Sequence, residues 1–189
     1  ATPSRDAAAL ASRVLTRLAG FVGLVHENMY QFTGWRFLEC GRRLERLAAT
    51  ADAAASFVAA EGDGMAEALL EFTDSRMTYR RRYSVELSTR TVIDLALLDP
   101  LNPRSLNYQA AALRAVLQDL PGNEEGGSLD GASRRAARLL VRLQTAGPEE
   151  VDTAFLRRIV RDAYDISNLL TERYFALAPQ VDFERLEAE

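Results

Sequence analysis

The sequence predicts an all-α fold, an antiparallel bundle of about six helices without a sheet. Apolar residues recur at spacings of three and four along the chain, which is the pattern of helices buried on one side. The one segment in which a strand is conceivable, 88–98, has no partner strand elsewhere. Apolar residues make up 48% of the 189 residues. This is enough for a sizeable core, so the range 1–189 is expected to form a single domain.

The first half of the chain is expected to form three helices. The first covers about 4–30 and is apolar nearly all round in its middle, which predicts a central position in the bundle. Thr33 can cap the second helix, which continues through Val58. The third is expected over about 65–84, after the glycine-containing turn at 62–64.

The second half of the chain supplies the remaining helices. Ser88 is expected to cap a short helix. Asn102 suits the N-cap of the next helix and Pro103 suits its first position. The apolar stripe of this helix comprises Leu106, Ala110, Leu113, Leu117 and Leu120. Two further helices with regular apolar stripes are predicted to end at about Ala146 and to span 149–177.

Two ranges fall outside this regular pattern. The range 121–131 is rich in glycine and predicts a flexible loop. The tail 179–189 is polar and acidic and is expected to be frayed.

The composition excludes several classes of protein. The formal net charge of -4 argues against nucleic acid as a partner. One cysteine, Cys40, and one histidine, His26, are too few for an internal disulfide or an ordinary zinc site, so we expect no metal and no cofactor. His26 shares an apolar stripe and is expected in the core. No apolar run approaches 18 residues and no signal peptide precedes the first helix, which predicts a cytoplasmic protein without a membrane partner.

Three acids are placed near apolar residues. Glu45 is expected at the shoulder of the buried stripe of the second helix, beside several arginines. Asp74 and Asp94 also lie in apolar surroundings, and an unpaired buried carboxylate is costly, so each acid should have a partner. The stripe predicted for the second helix comprises Phe37, Gly41, Leu44, Ala48 and Ala51.

The basic residues narrow the chemistry of any bound anion. All 23 are arginines, and guanidinium groups bind carboxylate and phosphate in a bidentate manner. Two interpretations of the acids and arginines stay open. One is an internal ion pair that fixes helix register, and the other is a ligand site lined by arginines.

Two passages carry a family resemblance, one over 34–46 and the other over 74–80 together with 97–106. In both, the order of residues resembles the alpha-E family, a helical domain named for its Glu-Arg motif, here Glu45-Arg46. The resemblance covers about 10–174. Family members are usually longer at the N-terminus, so it implies the C-terminal portion of such a domain.

The ligand-binding candidates combine the motif positions implied by the resemblance with the arginine-rich run after Asp74. They are Trp35, Arg42, Glu45, Arg46, Asp74, Thr78, Tyr79, Arg80, Arg82, Asp99, Asn102, Arg104 and Ser105.

The resemblance also implies a functional setting. Proteins of this family occur fused to, or encoded beside, circularly permuted ATP-grasp ligases and transglutaminase-like proteins. We therefore expect an accessory or substrate-binding module that works with an ATP-grasp-type peptide or amide ligase and binds an anionic ligand or partner. No catalytic residue is assigned, and the domain is not expected to be an enzyme on its own.

Two alternatives stay open. The first is a structural or assembly domain whose motif residues form interhelical ion pairs, with a second copy of the chain as partner. The second is a carboxylate-based enzyme of unknown reaction, with Glu45, Asp74 or Asp94 as the general acid or base.

Overall fold

A computed structural model describes residues 3–60, 64–83, 86–122 and 130–176. These residues contain helices and no strand, so the all-α prediction is confirmed. A π-helical turn and a 3-10 turn, at Asp94–Leu98 and Pro148–Glu150, add to the α-helices. In chain order the α-helices are α1 (Pro3–Asn28), α2 (Thr33–Ala59), α3 (Met65–Phe72), α4 (Arg76–Arg82), α5 (Thr89–Ile93), α6 (Leu106–Gln118), α7 (Gly131–Thr145) and α8 (Thr153–Tyr174).

Four of these helices surround the core. α2 packs against α6 and α8, and α7 packs against the same two helices from the other side. The stripes predicted for α6, α7 and α8 are confirmed, and each fully buried leucine or isoleucine contributes about 1.5–3 kcal/mol. The leucines and isoleucines of these three helices that are at most 1% exposed are Leu106, Leu113, Leu117, Leu139, Leu143, Leu156, Ile159 and Ile166.

The buried stripe of α2 is rotated from the predicted one. Leu44, Ala48 and Ala51 of the predicted stripe are buried, but Gly41 is exposed, as is Glu45, and Cys40 and Leu47 are buried in addition. A helix turned toward Leu47 buries a whole leucine side chain, while the predicted orientation centres on a glycine that has no side chain to bury. The prediction that Glu45 lies at the edge of the core is therefore wrong.

The single helix predicted over 65–84 is broken into α3 and α4. Thr73 donates its hydroxyl to the Leu69 carbonyl at 2.8 Å, and Ser75 donates to the Thr73 carbonyl at 3.0 Å. Between them Asp74 adopts a φ of 50°. Side chains that bond to nearby backbone groups compete with the helix, which explains the break.

Short polar side chains set the helix starts around this break. Ser88 caps α5, as predicted, by accepting from the Thr91 amide at 3.3 Å. The predicted cap of α6 is wrong by three residues, because Ser105 and not Asn102 accepts from an amide of the first turn, that of Tyr108, at 3.1 Å. α8 also begins later than predicted, after Asp152, whose carboxylate caps it.

α1 departs from its predicted central position. Its bulky apolar side chains are exposed, and His26, which we expected in the core, is exposed as well. α1 therefore presents an apolar surface that no described helix covers extensively. Leucines and a phenylalanine that are more than half exposed on it are Leu10, Leu15, Leu18, Phe21 and Leu24.

The segment Asp6–Asn28 is also long enough and apolar enough to cross a membrane, by length and composition alone. Its mean hydropathy reaches 1.5, although Arg13 and Arg17 interrupt the apolar run. A core helix and a signal sequence can share this length and composition. The core of the predicted loop, 123–129, and the predicted frayed tail, 179–189, lie outside the described residues.

Candidate functional site

Glu39, a buried acid on α2, binds the arginine side chains that surround it. Glu39 is only 2% exposed. Its Oε1 accepts from Arg42, and its Oε2 accepts from Arg43 Nη2 at 2.8 Å. The three residues lie at i, i+3 and i+4, so they share one helix face and hold the carboxylate between two guanidiniums.

Arg43 connects this face of α2 to the start of α6. Its Nη1 donates to Gln109 Oε1 at 3.2 Å, and Gln109 in turn donates to the Pro103 carbonyl. The first family passage therefore contacts the second through Gln109. Glu39, Arg43 and Gln109 are not among the ligand-binding candidates predicted from the sequence. An acid followed by arginines three and four residues later was the signal that could have identified the first two.

Arg46 lies one turn beyond Arg42 and Arg43 on the same face. Burial lowers the pKa of its guanidinium, and the charges of Arg104, Arg42 and Arg43 lower that pKa further. Glu39 acts in the opposite direction. Arg46 forms no ion pair within the described residues. The segment that carries Arg104 is linked to α2 because Arg43 binds Gln109, which donates to the carbonyl of Pro103. We call Arg42, Arg43, Arg46 and Arg104 the arginine cluster, because the charges of the other three act on Arg46.

Arg104 has an acidic partner at the surface. Its Nη2 lies 3.4 Å from Asp74 Oδ2. Asp74 occupies the turn between α3 and α4, and both side chains are exposed. Ion pairs of this kind contribute little, about 0–1 kcal/mol.

Asp99 lies apart from the arginine cluster in a network that orders the chain before α6. It is buried, and its carboxylate pairs with Arg82 and accepts from the Leu101 amide at 2.8 Å. Its carbonyl accepts from the Ser105 hydroxyl at 2.5 Å. These contacts satisfy a buried acid within the protein, so they favour a structural role for Asp99, Arg82 and Ser105.

Asn102 belongs to the same network. Its amide nitrogen donates to Ser75 Oγ at 3.1 Å and to the Leu95 carbonyl at 2.8 Å, and its oxygen accepts from the Arg104 amide. The side chain of Asn102 thus connects the π-helical turn to the break between α3 and α4 by hydrogen bonds. It also fixes the backbone that carries Arg104.

The remaining candidates are scattered. Tyr79 is buried with its hydroxyl 2.7 Å from Thr91 Oγ1, whereas Thr78 and Arg80 are exposed. The Trp35 indole nitrogen is buried and has no hydrogen-bond partner in the described structure. The structure therefore brings Arg42, Arg46 and Arg104 together and leaves Glu45, Thr78, Arg80 and Asp99 outside the cluster.

The acids named for the enzyme alternative do not share a site. Glu45 and Asp74 are exposed, and Asp94 is half-buried with the Tyr83 hydroxyl donating to it at 3.1 Å. Burial and this hydrogen bond raise the pKa of Tyr83. The described residues contain no group of three or more His, Cys, Asp or Glu side chains placed to hold a metal ion.

A cleft of about 410 Å³ lies elsewhere, between the end of α7 and the start of α8. Arg142, Glu150, Asp152 and Arg158 are among its lining residues. It contains acids and arginines in equal number among these four, so it offers less excess positive charge than the arginine cluster. An anion at the cluster would bind to an arginine-lined surface of α2 and the segment before α6.

The fold and the cluster define a helical domain with an electropositive surface built from two sequence passages. Residues 2–175 match the family model Alpha-E, which is described as a predicted alpha-helical domain with a conserved ER motif. The chain belongs to the Alpha-E family.

Uncharacterized proteins of Mycobacterium bovis and Mycobacterium tuberculosis are similar to this chain. Each is 34% identical to it over 190 aligned residues, which cover 90% of this chain and 21% of the relative. The chain thus spans about a fifth of the length of these relatives. No solved structure matches it.

Proposed function

We propose that this domain is a binding module whose arginine cluster holds an anionic ligand or an acidic segment of a partner protein. The observation that supports this most directly is the setting of Arg46. It is half-buried on the same face of α2 as Arg42 and Arg43 and forms no ion pair within the described residues, while Glu39, the buried acid of this face, is already shared by Arg42 and Arg43. An anion would relieve the mutual repulsion of these charges.

The proposed partner is an ATP-grasp-type peptide or amide ligase in the cytoplasm. The family setting supports this choice, because proteins of this family occur fused to, or encoded beside, such ligases. Transglutaminase-like proteins occur in the same setting and are further neighbours. Ligases of this class handle carboxylate substrates and phosphorylated intermediates, which match the anions that guanidiniums bind. The module would present the substrate or dock the ligase, and would not carry out the reaction itself.

Calorimetric titration tests anion binding directly. We expect a tetraglutamate peptide or ATP to bind at low ionic strength, and Arg46→Gln to weaken that binding about tenfold. Arg161→Gln, an exposed arginine on α8, is the matched control and should leave binding unchanged. Absence of binding across the panel, or equal losses in both variants, would contradict the proposal.

The ligase partnership needs a separate experiment. An ATP-grasp ligase encoded beside the gene should form more amide product per unit time when this domain is added, and Arg46→Gln should remove the gain. A rate that is the same with and without the domain would overturn the partnership and leave anion binding standing.

One observation favours a second candidate, an assembly domain with a second copy of the chain as partner. The apolar side chains of α1 are exposed, and exposed apolar surface of this extent commonly marks a protein interface. We expect light scattering to show a dimer, and a Leu18→Gln, Phe21→Gln double variant to be monomeric. Val141→Gln, at an exposed apolar position of α7, should leave the dimer intact. A wild-type monomer would exclude this candidate.

A further inference from the structure

We infer that the cleft between the end of α7 and the start of α8 binds a zwitterion with an apolar group, as an apolar amino acid or a short apolar peptide is. The cleft has a volume of about 410 Å³, which lies within the range of about 300–1,000 Å³ that is usual for small-molecule sites. None of the four arginines of the arginine cluster lines it. The inference therefore stands apart from the proposed anion-binding function.

Two arginines line this cleft and can hold a carboxylate. Arg158 on α8 is exposed, and its side chain forms no ion pair or hydrogen bond within the described residues. Arg142 on α7 pairs with Asp162 through Nη1, but its guanidinium has further N–H donors. Guanidiniums bind carboxylates in a bidentate manner. Arg158 is therefore the residue that we assign to the carboxylate of the ligand, with Arg142 as a second donor.

Two acids line the same cleft and can hold an ammonium. Glu150 Oε2 accepts from the Gly147 amide at 2.7 Å, and Asp152 Oδ1 accepts from the Phe155 amide at 2.7 Å. Each carboxylate thus uses one oxygen to order the turn before α8. The second oxygen of each accepts no hydrogen bond within the described residues. Both acids are exposed, so these oxygens are available to a ligand.

The presence of both signs of charge in one cleft decides the class of ligand. A simple anion would be attracted by the arginines and repelled by the acids, and a simple cation would meet the reverse. A ligand that carries both charges pairs with both sets of side chains at once. A zwitterion is therefore the ligand whose charges match this cleft best.

The apolar residues of the cleft favour an apolar group on the ligand. Phe155 is half-buried and packs against the core, and Ala146 and Ala154 line the cleft as well. Contact between these residues and an apolar side chain removes apolar surface from water, which adds affinity. A zwitterion with an apolar side chain should thus bind better than one without it.

Calorimetric titration of the full chain tests the class of ligand with matched probes. Leucine has all three groups, N-acetylleucine lacks the ammonium, leucinamide lacks the carboxylate, and glycine lacks the apolar side chain. We expect leucine to bind about tenfold more tightly than each of the other three. Dileucine places the two charges further apart, so tighter binding of dileucine identifies a peptide and tighter binding of leucine identifies a free amino acid.

Two results of this titration would overturn the inference. One is that neither leucine nor dileucine binds. The other is that N-acetylleucine, leucinamide or glycine binds as tightly as the better of these two, because one of the three recognition elements would then contribute nothing.

Variants locate the ligand in the cleft. Arg158→Gln should weaken leucine binding about tenfold, because it removes the assigned partner of the carboxylate. Arg114→Gln is the control, at an exposed arginine of α6 that does not line the cleft, and should leave binding unchanged. Glu150→Gln keeps an oxygen for the Gly147 amide and removes the charge, so it should reduce the preference for leucine over N-acetylleucine. Leucine binding that is the same in wild type and Arg158→Gln would contradict the assignment.

The variant Arg46→Gln separates this inference from the proposed function. It should weaken the binding of tetraglutamate and leave the binding of leucine unchanged. If Arg46→Gln weakens leucine binding and Arg158→Gln does not, the zwitterion binds at the arginine cluster and the inference is wrong, while the anion site stands. If leucine binds as expected and no anion binds, the proposed function is wrong and the zwitterion site stands.

Discussion

The Glu39 carboxylate lies 2.8 Å from the Arg43 guanidinium, one helical turn further along α2, with almost no access to solvent. Arg42 binds its other oxygen. Burying a carboxylate is costly and its two ion pairs offset that cost, so removing either partner leaves an uncompensated buried charge. Glu39 is therefore the buried, arginine-paired acid that the sequence suggested at Glu45, but its ion pairs lie within α2, and the contact with α6 runs through Arg43 and Gln109.

The first prediction compares these two glutamates. Glu39→Gln should lower the free energy of unfolding by about 2 kcal/mol, because it leaves partly buried guanidiniums without a counterion. Glu45→Gln, at an exposed position of the same helix, should change it by less than about 0.5 kcal/mol. Urea denaturation at neutral pH measures both. A larger loss for Glu45→Gln would contradict the assignment.

The second prediction concerns the network around Asn102. Asn102→Ala should lower the free energy of unfolding by about 2 kcal/mol, because it leaves the buried Leu95 carbonyl and Ser75 hydroxyl without this donor. Asn168→Ala is the control, since Asn168 is exposed on α8 and alanine suits a helix. If the two variants unfold at the same urea concentration, Asn102 does not hold the turn together.

The apolar stripes of α6, α7 and α8 could be predicted from the sequence because each is unambiguous. Leu106, Leu113 and Leu117 follow one another at helical spacing on α6, and so do Leu156, Ile159 and Ile166 on α8. Strict spacing of large aliphatic residues leaves one orientation that buries them all. Burial then follows from the hydrophobic effect alone.

The orientation of α2 could not be predicted in the same way. Its small residues allow two nearby faces to pack, and the choice depends on how Leu47 fits against α6 and α8. The break at Asp74 depends on hydroxyl groups that compete with the helix, and a helical pattern does not reveal that competition. For α1, periodicity indicated an apolar face but carried no information about what covers it.

The arginine cluster was predictable only in part. Arg42 and Arg46 follow from the pattern on one helix, but their meeting with Arg104 depends on the packing of α2 against the start of α6. Glu45 was chosen because it stands beside Leu44 in the predicted stripe. A rotation of the helix moved it into solvent and moved Glu39 inward.

The third prediction concerns Cys40 at alkaline pH. Burial, and then the charge of Glu39, raise the pKa of its thiol to about 12. The folded state therefore keeps the thiol neutral while the unfolded state ionises above about pH 8.5. The contribution of this thiol to the free energy of unfolding is therefore complete below that pH. It is lost as the pH rises toward 12, by up to about 1.4 kcal/mol per pH unit.

Cys40→Ala tests this slope. The variant should be less stable than wild type at pH 7, because it leaves a small cavity in the core, and the difference should shrink as the pH rises above about 8.5. Tyr83 and Tyr174 also have pKa values raised chiefly by burial. Both remain in the variant, so the effect of burial cancels in the comparison, and only the smaller effect of the Cys40 charge on Tyr174 is lost. Urea denaturation between pH 7 and 10 measures the difference in the free energy of unfolding between the two proteins. A difference that is constant over this range would contradict the prediction.

The fourth prediction concerns Asp130, which caps α7 and pairs with Arg173 on α8. Burial acts to raise its pKa, but the hydrogen bond from the Ser133 amide at 2.6 Å and the pairing with Arg173 outweigh burial and lower that pKa. Because the folded-state pKa is depressed, the stabilisation by the Asp130 carboxylate is present above the unfolded-state pKa of about 3.9 and is lost as the pH falls through the folded-state pKa.

Asp130→Asn keeps the capping oxygen and removes the charge, so it should lower the free energy of unfolding by about 1 kcal/mol at pH 7. This difference should shrink as the pH falls below about 4. Asp152→Asn, at the cap of α8, is the control and should cost less stability at pH 7, since no described arginine pairs with Asp152. If Asp130→Asn costs the same at pH 3 and pH 7, the side chain stabilises the end of α7 through its shape and hydrogen bonds and not through its charge.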